Sequence, residues 1–278
     1  MISNPVKRIG RNNKKSLTPV GSFAVKNNLN NINPESLKSE SFRNKLVLIK
    51  ADIFIVVAYK ILPSSLIDIP KYGSLNLHAS LLPKYRGAGP IQWALMNGDN
   101  ITGITIFQIK KRVDTGNILF QKKVNIKIDD NMQTLGTRLC EIGAHSILSV
   151  LKDIKNDRIK SYPQNSKEMT LAPKITKEML LINWSWAAKK IHNWIRGLSP
   201  YPGMHTIFKN RKVRIFKTKV FKGSGKEGVI VSLDKKSCLI GTGDQLISIL
   251  EIQLEGKKKM NISEFLMGAN FIEGSVLG

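Results

Sequence analysis

Ser74-Leu-Asn76-Leu-His78-Ala-Ser80-Leu-Leu-Pro83-Lys-Tyr-Arg86-Gly87-Ala-Gly89-Pro90 holds a strand, a turn and the start of a helix. Leu75 and Leu77 alternate with Asn76 and His78, the period of two that marks a strand. Gly89-Pro90 opens the helix, because proline at the first helical position forfeits an N–H that has no partner there. Asn97-Gly98 closes it. Upstream, Ile53-Phe-Ile-Val-Val-Ala-Tyr59 is an unbroken apolar, β-branched run, the pattern of a strand buried on both faces. Downstream, Ile101–Ile109 and Ile118–Val124 read as strands. Asp130-Asn-Met-Gln133 then has capping-box spacing before a helix carrying Leu135, Leu139, Ile142 and Ile147. Strands alternating with helices predict an α/β domain with a mostly parallel sheet.

The pattern changes after residue 155. Lys155–Lys177 is polar and punctuated by proline, as a linker would be, and Ser185–Arg196 reads as a short basic helix with Ala188, Ile191 and Ile195 inward. Gly197 and Pro200 end it. Beyond Met204, the runs Met204–Phe208, Lys212–Val220, Gly228–Leu233, Ser237–Ile240 and Gln245–Gln253 alternate with glycine-bearing turns, which predicts a small barrel.

Composition narrows the function. A chain of 278 residues makes one large or two modest domains, and 42% hydrophobic with 23% charged residues excludes wholesale disorder. Cys140 and Cys238 belong to no CxxC pair, which argues against a disulfide framework or a cysteine zinc site and for a reducing compartment. No apolar run approaches the roughly 20 residues of a membrane span. No secretory segment follows Met1, so a soluble, cytoplasmic protein without a membrane partner is expected. Lys and Arg number 44 against 20 acids, a net +24. That surplus suits a polyanion, though a composition rich in Lys, Asn and Ile also follows from an AT-rich genome. Residues 1–34 carry no acid, while Lys7, Arg8, Arg11, Lys14, Lys15 and Lys26 supply cations; an exposed basic loop is expected, with a transit peptide the competing reading. Arg211, Lys212, Arg214, Lys217 and Lys219 make the second domain basic too.

Asn76 and His78 project to one side of their strand, and at the carboxyl end of an open α/β sheet such residues face the ligand crevice. An amide donor beside an imidazole suits acyl transfer: the amide steadies an oxyanion and the imidazole exchanges protons near neutral pH. A purely structural Asn and His are the competing reading. His145, His192 and His205 join no cluster, and Trp184, Trp186 and Trp194 have the spacing of helix packing rather than base stacking.

With its flanks, the Asn-x-His-x-Ser-Leu-Leu-Pro segment resembles the formyltransferase family that uses 10-formyltetrahydrofolate. Arg112-Val-Asp114-Thr-Gly116-Asn-Ile-Leu119 is similar to that family's second catalytic loop, and Ala51-Asp52 to Pro63 to the strand and turn lining its folate pocket. Gly10-Arg11 to Lys15 is similar to the basic loop that meets a tRNA acceptor end. Ile182-Asn-Trp184-Ser and Leu198-Ser-Pro-Tyr-Pro-Gly203 are similar to the junction into the C-terminal barrel. The resemblance implies a Rossmann-like catalytic domain at residues 1–155, a linker and connecting helix at 156–199, and an OB-like, tRNA-binding β-barrel at 200–278. It implies transfer of a formyl group to the α-amino group of initiator methionyl-tRNA for translation initiation, by a monomer needing no metal and no covalent enzyme intermediate. Asn76 would hold the formyl oxygen. His78 would stabilise the oxyanion and shuttle a proton, and Asp114 would orient His78, directly or through water. Ser80, Leu81, Leu82 and Pro83 would line the folate site, their backbone groups open to the pterin. Arg8, Arg11, Lys14 and Lys15 would bind tRNA. A small-molecule formyltransferase or folate hydrolase, and an inactive RNA-binding remnant, are the alternatives.

Three departures from the family pattern set further expectations. A first strand ending in Gly-Thr-Pro, with its helix, is expected to be missing before Met1. Ala58-Tyr59 runs straight into Lys60 without the family's glycine, which would rearrange the pocket wall if that glycine supplied a positive φ. Lys110 and Arg112 replace an acidic residue and a glycine ahead of Asp114.

Overall fold

A computed structural model describes residues 1–9, 14–268 and 271–278. The chain divides into two compact units, Met1–Leu75 with Ile109–Lys111, and Asn76–Gln108 with Arg112–Gly278.

The first unit opens with an antiparallel hairpin of β1 (Lys7–Ile9) and β2 (Lys14–Ser16). Helix α1 (Pro19–Lys26) follows, its first turn capped by Thr18, whose hydroxyl accepts from the Gly21 N–H. The acid-free stretch 1–34, expected as a loop, therefore contains ordered elements; Thr18-Pro19 is a start signal outweighed by the polar composition around it. Arg11 lies outside the described residues, as do the side chains of Arg8, Lys14 and Lys15. Helix α2 (Glu40–Ile49) is capped by Ser39 and ends on Lys50 at φ 52°. Strand β3 (Phe54–Val57) and the short α3 (Ser64–Ile67) complete the unit, with Leu37, Phe42, Leu46 and Leu66 at its core. β3 is not buried on both faces as expected: Val56 is buried, but Ile55 and Val57 are exposed. An unbroken β-branched run satisfies strand propensity whatever covers it, so the pattern cannot report the second face. Ala58 itself takes φ 46°, a left-handed backbone beside the position where the family's glycine is expected.

β4 (Ser74–His78) begins in the first unit, where the Phe54 N–H bonds the carbonyl of Gly73, and continues into the second. There β5 (Arg86–Gly87), α4 (Pro90–Met96), β6 (Ile101–Gln108), β7 (Ile118–Asn125) and α5 (Met132–Lys155) follow, with β6 between β4 and an antiparallel β7. Leu95, Ile104, Val124, Leu135 and Leu139 form the core between α5 and the strands. The cap of α5 sits one residue later than expected, an Asn131–Thr134 box rather than Asp130–Gln133. The Asp130 carboxylate is already committed to Arg138 and to the Lys127 N–H.

The stretch 155–177 is more than a linker. Within it β8 (Leu171–Ala172) pairs in parallel with β5, Arg86 opposite Leu171 and Gly87 opposite Ala172. Helix α6 (Ala188–Gly197) buries Ala188, Ile191 and Ile195, as its spacing requires. Trp184 donates to Thr206, and Trp186 and Trp194 pack edge to face at 4.8 Å. Burial takes the His192 imidazole down to about 4, aided by the Arg196 charge, so it stays neutral against Thr218.

β9 (Met204–Phe208), β10 (Arg211–Phe221), β11 (Ile230–Leu233), β12 (Cys238–Gly241), β13 (Leu246–Leu254) and β14 (Met260–Asn261) form one sheet in the order β11-β12-β13-β10-β9, with β14 on β13 and α7 (Ile262–Leu266) behind it. Its pairings are antiparallel. The expected barrel is therefore seen as a six-stranded antiparallel sheet without closure among the described residues; short strands and glycine turns serve both, because closure depends on strands distant in sequence. A register shift at Lys217 turns its neighbour Thr218 inward after Val213 and Ile215, leaving Lys217 and Lys219 exposed.

Candidate active site

The period of β4 sets the first two groups. Asn76 and His78 share one side of the strand, and the Asn76 side chain, half-buried, engages no hydrogen-bond partner among the described residues. His78 is 7% exposed and packs edge-on against Phe107 at 6.5 Å. Its Nε2 lies 2.8 Å from the Tyr85 carbonyl oxygen. A carbonyl only accepts, so Nε2 carries the proton, and in the neutral ring Nδ1 presents a lone pair. Nδ1 faces Asp114 Oδ2 across 4.0 Å, too far for a direct hydrogen bond. A small donor, an amine or a water, set off the line between the two acceptors reaches both at about 2.8 Å.

Asp114 is held by its own set of bonds. It sits at φ 54° in the turn between β6 and β7, and its Oδ2 accepts from the Gly87 N–H at 2.9 Å. Left-handed backbone of this kind persists where its surroundings over-determine it. Here Gln164 supplies the second restraint, donating through Nε2 to the carbonyls of Asp114 at 2.9 Å and Gly116 at 2.8 Å.

Tyr85 fixes the other side of His78. It too has positive φ, 59°, and its hydroxyl donates to Asp99 at 2.7 Å and accepts from Asn97 at 3.0 Å. Its N–H donates to the Thr170 hydroxyl at 2.9 Å. Burial pushes the phenol up to about 12; the Asn97 bond opposes that and Asp99 adds to it, so the group remains a donor at any working pH. Tyr85→Phe is expected to cost about 1 kcal/mol in urea unfolding, the net scale of a hydrogen bond whose partners, half-buried Asp99 and exposed Asn97, still reach water. Turnover should fall less than about tenfold, because the contact to His78 is a backbone carbonyl.

The segment expected to line a folate pocket is mostly internal. Ser80 and Leu82 are buried, and Leu82 packs with Phe107 and Ile118. Part of the backbone expected to be open is in use: Thr105 donates to the Ser80 carbonyl and accepts from the Leu82 N–H, while Gln121 donates to the Leu82 carbonyl. Pro83 is buried as well, which leaves Leu81, half-exposed, as the member of the four with side-chain surface to offer. Thr105 and Gln121, which lock this loop, carry no motif that sequence reasoning recognises. Among the described residues no group of three or more His, Cys, Asp or Glu is placed to hold a metal ion.

The sequence profile described as formyl transferase matches residues 1–151, and that of the formyl transferase C-terminal domain matches residues 174–270. This chain belongs to the formyl transferase family. Methionyl-tRNA formyltransferase of Caldanaerobacter subterraneus subsp. tengcongensis is 40% identical over 100% of this formyl transferase and 91% of its own length. The methionyl-tRNA formyltransferase of Thermodesulfovibrio yellowstonii is 41% identical over 99% and 89% of the two chains. Among solved structures, WlaRD, a sugar 3N-formyl transferase crystallised in the presence of dTDP and 5-N-formyl-THF, superposes with a TM-score of 0.64 at 21% identity. That likeness covers 88% of the formyl transferase and 83% of WlaRD.

Proposed function

We propose that this formyl transferase carries a formyl group from 10-formyltetrahydrofolate to the α-amino group of initiator methionyl-tRNA. Identity of 40% and 41% along nearly the whole chain to relatives named methionyl-tRNA formyltransferase supports the acceptor, and likeness to a sugar formyl transferase crystallised in the presence of 5-N-formyl-THF supports a folate donor. The observation that carries the chemistry is the gap of 4.0 Å between His78 Nδ1 and Asp114 Oδ2, with His78 Nε2 already satisfied by Tyr85.

In this reading the attacking amine bridges the two acceptors from beside the gap. His78 Nδ1 takes its proton as the new C–N bond forms, and the imidazolium then has one N–H on the Tyr85 carbonyl and the other facing the Asp114 carboxylate. The unengaged amide of Asn76 donates to the formyl oxygen as negative charge develops there. The proton on His78 returns to the folate nitrogen as the old C–N bond breaks, so protons balance over the cycle. Leu81 gives the folate apolar contact, and Ser80, Leu82 and Pro83 shape the wall from within. The residues fit this co-substrate: one free amide for the oxygen, one base for the proton, one carboxylate for the transient cation.

The tRNA would meet the cations of Arg8, Arg11, Lys14 and Lys15 and the outward face of β10. Residues 1–155 then serve as catalytic domain, 156–199 as connector and 200–278 as tRNA-binding domain, in a cytoplasmic monomer. Binding should weaken with a linear slope in log salt. Arg11→Ala should flatten that slope by up to about 0.9 for each phosphate that it no longer neutralises. Filter binding from low to high salt checks this, and an unchanged slope would remove Arg11 from the interface. The function itself is tested by formyl transfer to charged tRNA, which His78→Ala should abolish.

A further inference from the structure

Tyr162–Ala172 lies against both halves of the candidate site. The Ile118 and Tyr162 backbones bond each other in both directions, at 2.9 and 3.1 Å. Thr170 accepts from the Tyr85 N–H through its hydroxyl and from the Arg86 N–H through its carbonyl, and the Ala172 carbonyl accepts from the Gly89 N–H. In the exposed run Ser161–Leu171, Gln164 alone is half-buried. Its amide uses its full capacity of two donors and two acceptors. Nε2 donates to Asp114 and Gly116, and Oε1 accepts from Arg86 Nε at 3.1 Å and Nη2 at 2.6 Å.

These bonds close a ring. Gln164 holds the backbone of Asp114 and the side chain of Arg86; the next residue, Gly87, donates to the Asp114 carboxylate; and the preceding residue, Tyr85, accepts from His78. The segment 85–87 thus carries a partner of both His78 and Asp114, and Gln164 ties that segment to the Asp114 turn. Resting on the assignment of His78 and Asp114 above, we propose that Gln164 is a positioning residue for formyl transfer: its side-chain amide sets the separation of Asp114 from His78 by clamping Arg86 to the 114–116 turn. Removal lets the left-handed Asp114 turn relax while the substrate-binding surfaces stay intact.

Angstrom-scale misplacement of a reacting group can cost about 100-fold. Gln164→Ala is therefore expected to lower kcat about 10- to 100-fold, with KM for methionyl-tRNA and for 10-formyltetrahydrofolate within about threefold. The discriminating measurement is a double-mutant cycle with Asp114→Asn. If Gln164 acts through Asp114, adding Gln164→Ala to Asp114→Asn lowers kcat by less than about threefold further. Gln164→Glu keeps the length and the acceptor for Arg86 but loses both donors; it guards against misfolding and is expected to reproduce the kcat loss with an unfolding midpoint close to wild type. The proposal is overturned by wild-type kcat in Gln164→Ala or Gln164→Glu, by a loss carried in KM, or by the same fold-loss in both Asp114 backgrounds. Wild-type turnover in Asp114→Asn alone overturns the underlying site assignment, and the proposal with it.

Discussion

His78→Ala is expected to lower kcat for formyl transfer at least about 100-fold while leaving affinity for methionyl-tRNA within about twofold. The ring contributes to the active site through one nitrogen. Nε2 is tied to the Tyr85 carbonyl, so truncation removes Nδ1, the proton acceptor that faces the gap, and leaves Asp114 without the cation it is placed to stabilise. Truncation also empties buried space beside Phe107 and leaves the Tyr85 carbonyl without its donor, so an unfolding midpoint on each variant separates a folding loss from a catalytic one. Asp114→Asn probes the other wall of the gap. It retains an acceptor for the Gly87 N–H and nearly the same shape, but removes the charge, and should fall by a similar factor. Steady-state kinetics with filter binding on the same preparations separates the two effects. Near-normal turnover in either variant would mean that the proton leaves by another route.

Gly87→Ala is expected to damage stability and catalysis together. Gly87 holds φ 122°, a conformation closed to side-chain-bearing residues, and a Cβ there would lie 2.6 Å from the carbonyl oxygen of Ala172. That oxygen is backbone in the paired strand, so it cannot swing aside as a side chain would. Relief requires β5 to part from β8, which carries away the N–H that holds Asp114. Strained φ and steric displacement together should cost about 2–4 kcal/mol in urea unfolding, and kcat should drop at least tenfold. Gly73→Ala is the matched control. It also has positive φ, 72°, but open space around the added carbon, so its cost should stay near 1 kcal/mol, without the catalytic loss. Equal costs at the two positions would show that the β5–β8 pairing is unimportant.

What can be read from the residues depends on how local each signal is. Asn76 and His78 are legible because a period of two puts them on one side of a strand, and α6 because Ala188, Ile191 and Ile195 follow a helical period. Asp114 is found only through resemblance; nothing in its own surroundings announces a loop that returns to His78. Gln164 and Thr170 escape sequence reasoning because they sit in a polar stretch whose pairing, Leu171–Ala172, is too short to show periodicity. Leu82 reads as ligand-facing in a loop, yet packs against Phe107 and Ile118, and no spacing rule separates those fates. The cap of α5 slips by one residue because Asp130 has a stronger partner eight residues away in Arg138.

The most direct test presents the purified chain with radiolabelled 10-formyltetrahydrofolate and, in parallel, initiator methionyl-tRNA, free methionine and water. The expected result is label on the α-amino group of methionyl-tRNA, negligible label on free methionine, slow hydrolysis, and loss of tRNA labelling in His78→Ala. Comparable formylation of free methionine, hydrolysis as fast as transfer, or undiminished labelling by His78→Ala would contradict it.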